Sequence, residues 1–155
     1  MKLLTKFTFL FFIIAIAFSS CTEESYADWK ILNDNRYSAE LDSLSIKNYT
    51  KTESGLCYKI IHKGEILKRP NVNSYIKVRY TGRLITNKVF DSGTYEGYLS
   101  GTVAGWREAL TLINVGGSMV FFLPADLGYG STASGKVPPY SMMYFTVDLE
   151  NVQNY

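Results

Sequence analysis

The chain contains one histidine, His62, and two cysteines, Cys21 and Cys57. That scarcity excludes two large classes of chemistry. A zinc site draws three or four ligands from Cys, His and carboxylates, and a Ser-His-Asp triad needs a histidine beside its nucleophile. His62 instead stands at a strand edge next to Lys63 and Gly64, where a solvated surface role is expected. Charge of one sign is missing too. The formal net charge of +2 comes from Lys2 and Lys6 in the first 20 residues, and the remainder balances. No basic stripe with interleaved aromatics is present, so no nucleic-acid partner is expected. Gly128 to Gly135 has the glycine density of a phosphate loop. It lacks the Gly-Lys-Ser/Thr ending, however, and Pro138-Pro139 follows where a helix would have to start.

Long apolar runs are confined to one place. Residues 1–20 read as a signal peptide: Lys2 and Lys6 open it, and Phe7 to Phe18 has the length of an h-region, short for a bilayer span. Ser19 and Ser20 follow, then Cys21. Small residues before a Cys resemble the lipobox of bacterial lipoproteins, in which the Cys is acylated and becomes the new amino terminus. Phe18 departs from the aliphatic residue usual there. The resemblance implies lipid attachment at Cys21, with several acyl chains supplying a stable anchor. Cys57 is then left without an intramolecular disulfide partner. Thr22, standing where some inner-membrane lipoproteins carry Asp, favours the outer over the inner membrane of a bacterial envelope.

The remaining length suits one domain and a short extension, and 46% hydrophobic with 19% charged residues is a globular composition. Neither Pro nor Gly occurs from Thr22 to Ser54. Tyr26, Trp29, Leu32, Tyr37, Leu41 and Leu44 recur near the helical period, predicting a helix over 25–44. Its stripe would pack on the main domain, on a second copy or on another partner. A polar linker is expected up to residue 53, and the domain over 54–155.

From Gly55 onward the period becomes two. Strands are expected over Leu56 to Ile61, Ser74 to Gly82, Arg83 to Phe90 about a turn at Thr86-Asn87, Met119 to Pro124, and Tyr144 to Val152. One helical segment, Gly105 to Ile113, ends at Gly116-Gly117. Ala125 to Pro139 reads as a Gly/Ser-rich loop. The class is α+β, an antiparallel sheet with one short helix against it, preceded by the N-terminal helix.

The residues that stand out are aromatics punctuated by Gly and Pro. They occur as Val78-x-Tyr80-Thr81-Gly82, Val89-Phe90-Asp91-Ser92, Val103-x-Gly105-Trp106, Leu123 to Gly130, Val137-Pro138-Pro139, and Phe145-x-Val147-x-Leu149. In this order and near this spacing, over about 100 residues, they resemble the FKBP-type peptidyl-prolyl cis–trans isomerases. The resemblance implies a half-barrel sheet wrapped around the short helix. It also implies a site with Trp106 as floor, Tyr80, Phe90 and Phe145 as walls, and Val103 and Val137 completing the apolar surface. The Val103 N–H and the Tyr129 hydroxyl match the family's donors to the carbonyls flanking proline, and Asp91 matches the carboxylate beside Tyr80. The segment between Asp91 and Trp106 is shorter than is usual in the family. Tyr95 or Tyr98 would supply the pocket aromatic found there, and the sequence does not choose between them.

The implied activity is rotation of X–Pro bonds in exported proteins, without cofactor or metal. Two rivals stand beside it: a non-catalytic binding or chaperone module of the same fold, and a structural lipoprotein docked through helix 25–44.

Overall fold

The computed structural model describes residues 21–45 and 48–154. The leader expected over 1–20 lies outside the described residues. Among those described, no helix is long and apolar enough to cross a membrane. Elements follow in the order α1 (Cys21–Ser45), β1 (Thr50–Lys51), β2 (Cys57–His62), β3 (Tyr75–Leu84), β4 (Val89–Tyr98), α2 (Ala104–Leu110), β5 (Ser118–Leu123) and β6 (Met143–Gln153). All strand pairs are antiparallel, in the order β1-β2-β5-β6-β3-β4. The fold is α+β, with one open sheet and a helix on each face.

Period-two alternation builds the inner face. Ile76 and Val78 of β3, Met119, Phe121 and Leu123 of β5, and Phe145, Val147 and Leu149 of β6 are buried. They pack with Trp106, Ala109 and Leu110 of α2 in one core. Gly105 makes this packing possible: a Cβ there would lie 2.4 Å from Leu123 Cδ2. The helix could not then approach β5 as closely as it does.

The outer face carries a smaller cluster of Cys57, Phe122 and Met142, with Tyr37, Tyr49, Ile85 and Tyr144 against it. Cys57 is 1% exposed because α1 covers this face through Tyr37. The helix therefore packs on the domain, and of the expected stripe Trp29 and Tyr37 take part in that contact while Tyr26 and Leu32 do not. Trp29, Asn33 and Tyr37 face the sheet side, whereas Tyr26 and Leu32 are 40% and 50% exposed. Helical geometry explains the correction. Leu32 and Tyr37 are five residues apart, about 140° around the helix, whereas Trp29, Asn33 and Tyr37 advance by four and stay on one face. A polar residue takes the buried place because its side chain is fully used. Asn33 accepts from the Met142 N–H at 2.9 Å and donates to the Trp29 carbonyl at 2.7 Å.

Two further segments differ from the sequence reading. Thr50–Lys51, expected in a linker, pairs with Cys57 and Tyr58 as an edge strand. Residues 89–98, despite Gly93 and Gly97, continue as one ten-residue strand paired along β3. Pairing with an existing strand outweighs the weak intrinsic preference of glycine. The hairpin turn does fall at Thr86-Asn87, with Asn87 in the left-handed region at φ 64°.

Candidate active site

Between the inner face and the start of α2 lies a cavity of about 350 Å³, lined by Tyr80, Phe90, Asp91, Tyr95, Gly101, Thr102, Val103, Trp106, Tyr129 and Phe145. Seven of the eight pocket residues named from the sequence are therefore brought around one space. The eighth, Val137, is 3% exposed and belongs to the core cluster that contains Trp106. It packs in that core and does not line the cavity.

Each wall has a local cause. Tyr80 follows Ile76 and Val78 on the inward-facing parity of β3, and is half-buried. On β4 the register shifts: Gly82 pairs with Asp91 but Arg83 pairs with Val89, which leaves Phe90 as an extra, bulged residue. A bulge re-aims side chains, so two consecutive residues, Phe90 and Asp91, can both line the cavity. Opposite them Phe145 pairs with Gly82 on β6. A Cβ at Gly82 would come within 2.5 Å of Phe90 Cζ and 2.9 Å of Phe145 Cε1, so this glycine leaves room for both rings.

Trp106, 5% exposed, sits in the first turn of α2 and is ringed edge-on by its neighbours. Centroid distances are 5.1 Å to Tyr80, 5.4 Å to Phe145 and 6.0 Å to Tyr95, each with planes near perpendicular. Phe90 meets Phe145 in the same way at 5.7 Å. Such edge-to-face contacts hold ring orientations as well as burying area.

The rim is polar and already ordered. The Tyr80 hydroxyl donates to Asp91 Oδ2 at 2.6 Å, and the Ser92 N–H donates to Asp91 Oδ1 at 2.9 Å. Burial first, then the bond to Asp91 and its negative charge, push the Tyr80 phenol up to about 12. It is therefore neutral at any physiological pH. Among the described residues no protein acceptor takes the Val103 N–H or the Tyr129 hydroxyl. The space thus combines an apolar floor, one ordered carboxylate and two donors without protein partners.

Sequence reasoning left Tyr95 and Tyr98 undecided. Tyr95 lines the cavity while Tyr98 is 52% exposed. The register supplies the reason: Tyr95 pairs with Val78, which is buried on the inner face, and paired residues share a face. Alternation counted from Phe90 would have pointed to Tyr98; the bulge at Phe90 reverses that parity, so only the pairing with β3 selects Tyr95. Gly101 and Thr102 also went unnamed, and no sequence signal marks them. His62 is exposed at the end of β2, with Nδ1 3.1 Å from the Gly116 carbonyl oxygen, in line with a surface role.

Residues 67–150 match the family of FKBP-type peptidyl-prolyl cis–trans isomerases, and the chain belongs to this family. Among its relatives is the FKBP-type 22 kDa peptidyl-prolyl cis–trans isomerase of Escherichia coli. It is 39% identical over 104 residues, which cover 63% of this chain and 50% of that protein. The outer membrane protein MIP of Legionella longbeachae is 39% identical over 106 residues, covering 64% of this chain and 45% of the relative. In three dimensions the crystal structure of FkpA from Escherichia coli superposes with a TM-score of 0.86 at 25% identity, covering 99% of this chain and 74% of that one. This chain spans about half the length of those curated relatives.

Proposed function

We propose that the chain is a peptidyl-prolyl cis–trans isomerase that assists folding of exported proteins, acting from the cell envelope while anchored by lipid on Cys21. The observation that carries this reading is the meeting, in one cavity, of an aromatic box with unspent hydrogen-bond donors. An X–Pro bond crosses a barrier of about 18–20 kcal/mol through a twisted state that has lost amide resonance. No bond breaks, so neither a nucleophile nor a metal is needed. The proline ring rests on Trp106 between Tyr80, Phe90, Tyr95 and Phe145. The Val103 N–H and the Tyr129 hydroxyl hold the flanking carbonyls in the turned conformation. Donors fixed before the reaction stabilise the altered carbonyl without reorganising. Asp91 holds the Tyr80 phenol in place at the mouth.

Residues 1–20 serve as the signal peptide in this reading, 21–53 as the lipid-attached extension and 54–155 as the isomerase domain. The likeness to a protein named for the outer membrane supports envelope localisation, and Thr22 after Cys21 favours the outer membrane. The decisive assay follows cis–trans exchange of an X–Pro peptide with and without the protein. Acceleration supports an isomerase; tight binding without acceleration would make it a binding module. Membrane attachment is tested separately, by palmitate labelling of wild type and Cys21→Ser. Equal labelling of the two would overturn the lipid site.

A further inference from the structure

The Tyr129 hydroxyl sits on the longest connection in the domain, between the short turn Ala125–Leu127 and β6. Local bonds hold the first part of that loop: the Gly130 N–H donates to the Ala125 carbonyl at 2.9 Å, and Ser134 and Val137 exchange two backbone bonds at 2.9 Å. Ser131, Thr132, Ala133, Gly135 and Lys136 are exposed. The end of the loop before β6 is held differently, by contacts that lead to α1.

Three consecutive residues at the end of the loop are held by one face of that helix. The Trp29 indole N–H donates to Ser141 Oγ at 3.0 Å, and that hydroxyl donates to the Pro138 carbonyl at 2.7 Å. Asn33, 2% exposed, takes the Met142 N–H. The Lys30 ammonium lies 6.0 Å from the centroid of the Tyr140 ring. Tyr140 in turn reaches back to the pocket side: its N–H donates to the Gly130 carbonyl at 2.7 Å, and Gly130 is the residue after Tyr129. The chain of contacts thus runs from Trp29 and Asn33, through residues 138–142 and Gly130, to the donor at the pocket rim. Tyr37 fixes the other end of the described contact face, its hydroxyl donating to the Gly55 carbonyl.

We infer that α1 is a positioning element for the substrate-binding loop, with Trp29 and Asn33 as positioning residues that set where the Tyr129 hydroxyl stands. This inference rests on the isomerase reading of the cavity. It assigns the N-terminal extension a role in substrate affinity beyond that of a spacer between lipid and domain. Neither residue touches the cavity, so both act through Tyr140 and Gly130. Side chains bonded in this way suit the work, because their loss leaves the partner N–H or hydroxyl without its bond.

The test uses the full chain in detergent, with kcat and KM measured on an X–Pro peptide and amide exchange followed residue by residue. Trp29→Phe keeps a ring and removes the N–H. It is expected to raise KM about threefold to tenfold, the size of one net hydrogen bond, with kcat changed less than twofold. Amide exchange at Tyr140 should accelerate while the amides of β3 and β6 stay protected. Asn33→Ala should act in the same direction, with faster exchange at the Met142 amide that loses its acceptor. A folded Trp29→Phe with unchanged KM and unchanged Tyr140 exchange would overturn the inference. If the wild type does not accelerate exchange of the peptide, the isomerase reading fails instead. The Tyr140 amide then still decides the coupling, because its exchange needs no activity.

Discussion

Tyr129 and Tyr80 are chemically the same residue with opposite duties in this pocket. The Tyr80 hydroxyl is spent on Asp91 at 2.6 Å, whereas that of Tyr129 is available to a substrate. Tyr129→Phe removes one hydroxyl and keeps the ring. It should lower kcat/KM about threefold to tenfold with the fold intact, the effect of losing one net hydrogen bond of about 0.5–1.5 kcal/mol. Steady-state kinetics with circular dichroism as the control would show this. Tyr80 also fixes the pH behaviour. Its phenol is raised by burial and by Asp91 from 10.0 to about 12, so the neutral form is favoured in the folded state. That contribution to stability is complete below about pH 10 and is lost as pH rises through about 12. Activity should accordingly be flat from pH 6 to 8, with alkaline loss of stability only above about 10. A bell-shaped rate profile centred near 7 would require a titrating acid or base that the cavity lining does not suggest.

At the scale of elements, the site depends on how closely α2 and the strands approach. Gly105→Ala would drive a methyl to 2.4 Å from Leu123 Cδ2, forcing α2 off β5. Overpacking of this kind costs about 1–3 kcal/mol, and the shift would carry Trp106 with it. Both the denaturation midpoint and the affinity for an X–Pro peptide should fall, and retention of either at the wild-type value would count against the placement of α2. Trp106→Ala should destabilise the domain by about 3–5 kcal/mol, as large buried rings do, and abolish proline binding. Much of this architecture was legible beforehand. The inward parity of Ile76, Val78 and Tyr80, the turn at Thr86-Asn87, and the glycine before Trp106 are all local signals in the chain. What escaped the sequence was set by partners distant in the chain. The bulge at Phe90 exists only against β3, Tyr95 is selected only by its register with Val78, and Asn33 is buried only because Met142 offers an N–H. Leu32 looked like the better core residue by hydrophobicity, yet it stands 50% exposed.

On the scale of the whole molecule, one sheet separates two helices with different tasks. The inner face with α2 makes the cavity; the outer face with α1 buries Cys57, Phe122 and Met142 and reaches round to the loop before β6. Anchoring by lipid on Cys21 would place the start of α1 at a membrane and leave the domain in the aqueous compartment. The Cys21→Ser variant should then appear in the soluble fraction or stay unprocessed. The central claim is that X–Pro rotation takes place on Trp106. It is tested most directly by nuclear magnetic resonance on the isotopically labelled protein titrated with an X–Pro peptide, which reports the location of binding and the rate of exchange together. The uncatalysed bond turns over in tens to hundreds of seconds. Cis–trans exchange is expected to become orders of magnitude faster, with the largest shifts at the Val103 amide and the Trp106 indole. Faster exchange accompanied by shifts centred elsewhere, such as the outer-face cluster with Tyr49 and Tyr144, would contradict the claim, as would saturation of the Trp106 site with no acceleration at all.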